Sequence, residues 1–122
     1  MGMIKEKTFK GREVKMEFTI NEMLDMQRAL QERYKDKWEP ICAATGQNKL
    51  LWMIGEVGEV IDIVKKNGGE AASEDEELRK NLIEEMADVL MYYNDVLLCY
   101  GITSDELKRA YTEKFGKNMV RW

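Results

Sequence analysis

The apolar residues of this chain recur at helical spacing over four segments, which glycines or the single proline separate. Leu24 and Leu30 lie in the first segment. Thr19, with a glutamate three residues later, has the pattern of a capping box, in which two side chains satisfy free backbone groups of a first helical turn. We therefore predict a first helix from Thr19 to about Lys37, with a break at Pro40.

The second and third predicted helices are the longest. The second covers residues 46–66 and ends at Gly68, because glycine readily adopts the left-handed conformation that closes a helix. A polar loop is expected over residues 70–72. Ser73, with a glutamate three residues later, is the predicted cap of the third helix, which continues to about Tyr100 before another glycine.

The two ends of the chain have weaker patterns. Thr103 is predicted to cap a fourth helix that reaches about Phe115, and the basic tail over residues 116–122 is expected to be ordered only by a partner or ligand. Val14 and Met16 alternate with charged residues near the beginning of the chain, which predicts a short strand or an extended arm.

Length and composition fit one globular domain: 122 residues, of which 44% are hydrophobic and 34% charged. We predict an extended arm over residues 1–18, then a single all-α domain, resembling a four-helix bundle, over residues 19–122. The net charge of −4 argues against binding to a nucleic-acid polymer. The apolar runs are far too short to span a membrane, and charges interrupt the first residues, so we expect a cytoplasmic protein.

The chain has no histidine, and its two cysteines, Cys42 and Cys99, have no metal-binding spacing. These absences exclude the usual structural zinc sites, a Ser-His-Asp triad and a histidine general base. The cysteines are interpreted as core residues in a reducing compartment. Acid–base chemistry would depend on carboxylates, lysine, tyrosine or metal-bound water.

Two acidic pairs stand out within the apolar stretches of the second and third helices. Glu56 and Glu59 share one helix face, as do Glu85 and Asp88, because residues three apart lie about 60° from each other on a helical wheel. Their neighbours are largely apolar, so uncompensated carboxylates would be costly there. Oxygen ligands without histidine or thiolate favour a hard divalent cation, Mg²⁺ or Mn²⁺.

The same residues resemble a known signature. Glu56-Val-Gly-Glu59 followed by Glu85-Met-Ala-Asp88-Val-Leu is similar to the ExxE…ExxD motif of the MazG-like all-α nucleotide pyrophosphohydrolases. That superfamily includes dimeric dUTPases, dCTP pyrophosphatases and phosphoribosyl-ATP pyrophosphohydrolase. The flanking Leu50-Leu-Trp-Met-Ile-Gly and Gly101-Ile102 also fit, and the similarity covers roughly residues 20–122.

The resemblance implies a MazG-type fold and a Mg²⁺-dependent hydrolase. The four acids would bind Mg²⁺, with Mn²⁺ as an alternative, and water would attack the α-phosphorus of a nucleoside triphosphate. The products would be a nucleoside monophosphate and pyrophosphate. Glu56 or Glu59 would accept the proton of the water.

Further residues are candidates for substrate contact. Lys114, Lys117 and Arg121, near the end of the chain, are expected to clamp phosphates, and Lys114 matches a family lysine associated with phosphate contact. Asn118 is expected to contact phosphate or base. The tryptophans would stack on a base or pack in the core. Asp95 is open to three roles: metal ligand, support of the ligands, or sugar contact. These candidates are Trp38, Trp52, Asp95, Lys114, Lys117, Asn118 and Arg121.

The second and third helices are apolar over more than half of their circumference, so one chain has too little surface to cover both. We therefore expect a homodimer or homotetramer that completes the bundle, which agrees with the oligomeric state of the family. Two alternatives to the enzyme remain open on the sequence: a non-enzymatic helical interaction module, and an activity on phosphoribosyl-ATP.

Overall fold

The computed structural model describes the backbone of residues 6–9 and 12–15 and the whole of residues 17–122. Strands β1 (Glu6–Phe9) and β2 (Arg12–Lys15) pair in antiparallel register, with Phe9 opposite Arg12. The predicted arm over residues 1–18 therefore contains a two-stranded hairpin. Residues 17 and 18 have no regular secondary structure, and the remainder of that prediction, including Met16, lies outside the described residues.

The helices carry the fold, as the apolar spacing predicted, so the domain is all-α. Four long helices are joined by one short helix and one turn of 3₁₀ helix. Their bounds are α1 Ile20–Arg33, a 3₁₀ turn Ala43–Thr45, α2 Gly46–Asn67, α3 Gly69–Glu74, α4 Glu76–Cys99 and α5 Ser104–Arg121.

Helices α2 and α4 form the centre of the domain and run antiparallel. Near one end, the hydroxyl of Thr45 lies 3.7 Å from the sulfur of Cys99, and further along, Lys49 faces Asp95. Helix α1 packs against α4. Leu24 of α1 is almost fully buried, and Val96, Leu97 and Cys99 of α4 are buried as well. Apart from Ala72 of α3, the buried apolar side chains of the described residues lie in α1 and near the C-terminal end of α4, and apolar side chains of α2 and α4 such as Ile54, Ile61 and Ile83 are exposed.

Local signals explain most of the helix ends. The hydroxyl of Thr19 accepts a hydrogen bond from the backbone N–H of Glu22, as predicted for the start of α1. Gly68 and Gly101 have positive φ angles of 87° and 64°, which glycine adopts without strain, and they follow α2 and α4 as predicted.

Three local predictions were wrong. Helix α1 ends at Arg33 rather than near Lys37, because the chain turns there. The segment expected as a polar loop is the helix α3, which buries Ala72. Ser73 lies inside α3, and the cap of α4 is Asp75, whose carboxylate accepts from the N–H of Leu78 at 3.0 Å.

Helix α5 is longer than expected. Its predicted cap is present: Glu106 accepts a hydrogen bond from the N–H of Thr103, whose hydroxyl in turn lies 3.2 Å from the N–H of Glu106. The helix continues past Phe115 to Arg121, so the expectation of an unstructured tail was wrong. None of the residues of α5 is buried. Within residues 17–122, no helix has the length and apolar character needed to cross a membrane.

Candidate functional site: an acidic cluster between α2 and α4

Three of the four predicted acids meet between α2 and α4. Glu56 of α2 approaches Glu85 and Asp88 of α4, and one carboxylate oxygen of each lies within 4.8 Å of the others. Glu56 and Glu85 are half-buried, whereas Asp88 is exposed. The antiparallel packing of the two helices brings these acids together, and the spacing of three residues turns Glu85 and Asp88 to the same side. Glu59 is exposed and lies outside this group.

The cluster concentrates negative charge. The pKa of Glu85 is raised, first because partial burial disfavours its ionised form, and then because Asp88 and Glu56 lie nearby. A side-chain hydrogen bond to Glu56 and the charge of Glu59 raise the pKa of Glu85 further. Every charged group that shifts this pKa is an acid. The cluster therefore has the electrostatic character of a site for a cation.

Tyr92 connects this cluster to a second group of charges. Its pKa is raised by burial first, then by Glu56, Asp95 and Asp88. Tyr92 follows Asp88 by one helical turn and precedes Asp95 by another. The phenol therefore lies between the acidic cluster and Asp95.

Asp95 is buried in a polar network that the sequence analysis did not predict. One oxygen of Asp95 accepts hydrogen bonds from the amides of Gln27 at 2.8 Å and Gln31 at 3.0 Å, and the other lies 3.8 Å from the ammonium of Lys49. Lys49 is buried and pairs with Asp95 rather than with the acidic cluster, which the sequence pattern did not predict. A signal existed in the sequence: Gln27 and Gln31 share a helix face with the core residue Leu24.

The two candidate tryptophans, Trp38 and Trp52, are not core residues of the single chain. Trp52 is 58% exposed, on the helix that carries Glu56. Trp38 is 40% exposed and stacks on Tyr34, with ring centroids 4.7 Å apart. Both therefore offer an aromatic surface, and Trp52 offers it one helical turn from Glu56.

The predicted phosphate contacts all lie on α5. Lys114, Lys117, Asn118 and Arg121 are exposed, and the guanidinium of Arg121 lies 5.0 Å from the ring centroid of Trp122. Among the described residues, no cation is among the groups that shift the pKa of Glu85, and no contact joins these side chains to the acidic cluster. Their predicted role in substrate binding stays a prediction.

Comparison with known proteins gives one finding. Residues 44–118 match the family model described as the MazG nucleotide pyrophosphohydrolase domain, and this segment holds the whole acidic cluster and Glu59. No curated protein and no solved structure that was compared matches the chain. Since the matched segment is more than half of the 122 residues, the chain belongs to the MazG nucleotide pyrophosphohydrolase family.

Proposed function

We propose that this protein is a Mg²⁺-dependent pyrophosphohydrolase that cleaves a ribo- or deoxyribonucleoside triphosphate to the monophosphate and pyrophosphate. The observation that carries this proposal is the group of three carboxylates, Glu56, Glu85 and Asp88, with oxygens within 4.8 Å of one another. The family match supports the reaction class, and we propose the cluster as the site of the reaction.

The donor set fits a hard divalent cation. Opposite oxygen ligands of one Mg²⁺ are about 4 Å apart, so a small rotation of these side chains would bring all three oxygens into its coordination sphere. Glu56, Glu85 and Asp88 would hold the ion, Glu59 would join them or act beside them, and Mn²⁺ suits the same oxygens. A bound ion would neutralise phosphate charge and lower the pKa of a water molecule.

The protein side chains have separate tasks in this reaction. The oxygen of water forms a bond to the α-phosphorus, the bond from that phosphorus to the bridging oxygen breaks, and pyrophosphate leaves. The proton of the water passes to a carboxylate. We assign this proton to Glu59, because Glu56 belongs to the compact group whereas Glu59 lies just outside it and is exposed.

The exposed apolar surface supports a homo-oligomer. A groove of about 880 Å³ lies between α4 and α5, and its lining is largely apolar. Ile83 on this groove is 56% exposed and Tyr111 is 75% exposed. Monomeric proteins rarely leave a large contiguous patch of this kind uncovered. We propose that a second copy, in a dimer or tetramer, covers the groove and fixes the position of α5, so that its cations can reach a triphosphate.

The test is a panel of ribo- and deoxyribonucleoside triphosphates with Mg²⁺, in which pyrophosphate and orthophosphate are detected separately. We expect pyrophosphate release that EDTA abolishes, and a loss of about 100-fold or more for Glu59→Gln, as for removal of a general base. Glu84→Gln makes the same chemical change at an exposed position of α4 and should retain activity. Release of orthophosphate, or full activity of Glu59→Gln, would overturn the proposal. No turnover of any nucleotide would favour the interaction module instead.

A further inference from the structure

Four polar side chains from three helices are buried together. Their exposed fractions are 6% for Gln27, 8% for Gln31, 7% for Lys49 and 3% for Asp95. The charges of Lys49 and Asp95 balance, and the two glutamine amides hold one oxygen of Asp95. A buried ion pair is weak evidence for stability, because apolar residues of similar volume often do as well. The network therefore invites a different explanation.

The position of this polar network relative to the acidic cluster suggests another role for it. Lys49 precedes Glu56 by seven residues on α2, and Asp95 follows Asp88 by seven residues on α4. Two turns of helix correspond to about 10 Å. Because the two helices are antiparallel, the ion pair and the cluster are two contacts between the same two helices, with Tyr92 between them. Sliding α2 along α4 would change both contacts together.

We propose that the Lys49–Asp95 pair, held by Gln27 and Gln31, is a positioning device that sets the register of α2 against α4 and thereby the spacing of Glu56 from Glu85 and Asp88. Apolar contacts between helices are non-directional and tolerate small shifts. A buried charge has one position in which it faces its partner, and a shift would leave it unpaired. The part of this inference that is tested by Mn²⁺ binding rests on the proposed function.

The hydrogen bonds explain why Asp95 is a positioning residue rather than a metal ligand. Two amides already donate to one of its oxygens, and the other faces an ammonium. The glutamines come from α1, so they also tie this helix to the contact between α2 and α4. Of the three roles open to Asp95 on the sequence, the geometry favours support of the ligands.

The experiment compares Lys49→Met, Asp95→Asn and the double variant. Each single variant leaves a buried charge unpaired, so we expect melting temperatures lowered by about 10 °C or more. The double variant keeps the net charge of the network at zero and keeps an acceptor for both glutamines. It should recover most of the lost melting temperature, yet bind Mn²⁺ about tenfold more weakly than the wild type, as for other groups that support metal ligands.

A purely structural role would not give this combination, since recovery of stability would then restore Mn²⁺ affinity. The control is Glu32→Gln with Lys35→Met, which neutralises an exposed ion pair of 2.8 Å at the end of α1 and should leave Mn²⁺ affinity unchanged. A double variant with wild-type Mn²⁺ affinity would overturn the inference. So would a control with the same loss of affinity.

A metal-free measurement separates this inference from the proposed function. In ¹H–¹⁵N spectra of the double variant, a changed register should shift the amide signals of Glu56, Glu85 and Asp88, two turns from the substitutions. If the wild type binds no Mn²⁺, the proposed function fails, and these spectra alone decide the inference. Shifts confined to the neighbourhood of residues 49 and 95 would then overturn it.

Discussion

The contact between α2 and α4 differs sharply from α5, although both carry predicted functional residues. Between α2 and α4, Lys49, Asp95 and two glutamines of α1 are buried with defined partners, and the acidic cluster beside them has two half-buried members and one exposed member. On α5, every residue is at least partly exposed, including Phe115 at 59% and Val120 at 85%. One chain therefore determines the geometry of the acidic cluster, but it leaves the placement of the predicted phosphate contacts undetermined.

Helix α5 forms for local reasons. The capping box of Thr103 and Glu106 satisfies its first turn, and Tyr111, Phe115 and Met119 recur every four residues as an apolar stripe. Most helical stability in proteins comes from packing such a face against something else. The acidic cluster is therefore formed within one protomer, whereas the proposed phosphate contacts of α5 would need the proposed assembly to position them.

The largest effect is expected at the cluster itself. Glu85→Gln removes a charge that the proposed ion binding and hydrolysis would need, so we expect Mg²⁺-dependent pyrophosphate release to fall about 100-fold or more. The melting temperature without metal should not fall, because the substitution removes both the burial of a charge and the repulsion from Asp88 and Glu56 that raise the pKa of Glu85. Calorimetric titration with Mn²⁺ and thermal melting check both results. Unchanged Mn²⁺ binding would show that the ion lies elsewhere.

The next effect concerns assembly. Ile83→Lys places a charge in the groove between α4 and α5, and we expect self-association to weaken about 30-fold or more, as for a central interface residue. Sedimentation equilibrium measures the change. Asn81→Lys adds the same charge at an exposed position of α4 two residues away and should associate normally. If both variants associate equally, the groove is not part of the interface between copies.

A smaller effect is expected for the cations of α5. Lys114→Ala and Lys117→Ala remove exposed charges, so neither should change stability by more than about 0.5 kcal/mol. If these residues clamp phosphates in the assembly, KM for the triphosphate should rise about tenfold, while Mn²⁺ affinity stays the same. Steady-state kinetics of the two variants test this, with Lys66→Ala on α2 as a control. An unchanged KM would show that Lys114 and Lys117 do not contact the phosphates of the substrate.

The smallest effect is at the cap of α5. Hydrogen bonds from the backbone N–H and hydroxyl of Thr103 lower the pKa of Glu106. Because its pKa is lower in the folded state than in the unfolded state, this group stabilises the fold above the unfolded pKa of about 4.5, and the contribution disappears as pH falls through the folded value. Urea unfolding of wild type and Glu106→Gln should therefore differ near pH 7 and converge near pH 3. A difference that persists in acid would contradict this origin.

The sequence predicted the helices well where local chemistry determines them. The caps Thr19 and Thr103 and the glycines after α2 and α4 are local signals, and the structure contains them. Gly116 misled the prediction for α5: an isolated glycine costs a helix only about 1 kcal/mol, and the helix continues through it. Helix α3 was missed because its short sequence has no apolar periodicity of its own.

The acidic cluster was predictable because a spacing of three residues puts two acids on one helix face. For the network of Asp95, the sequence signalled only that Gln27 and Gln31 share a face with Leu24, because the pairing itself depends on which faces of α1, α2 and α4 meet. A lysine such as Lys49 is usually exposed, and its partner Asp95 lies 46 positions away in the sequence. Exposure of the tryptophans in one chain also could not be foreseen, since it depends on which surfaces a second copy covers.

Hydrolysis in ¹⁸O-labelled water is the most direct test of the proposed attack of water at the α-phosphorus. The protein is incubated with Mg²⁺ and the nucleoside triphosphate that it cleaves fastest, and mass spectrometry measures the label in each product. Attack at the α-phosphorus, with the ion held by Glu56, Glu85 and Asp88, predicts one ¹⁸O atom in the monophosphate and none in pyrophosphate. Label in the pyrophosphate, or undiminished labelling with Glu85→Gln, would contradict it.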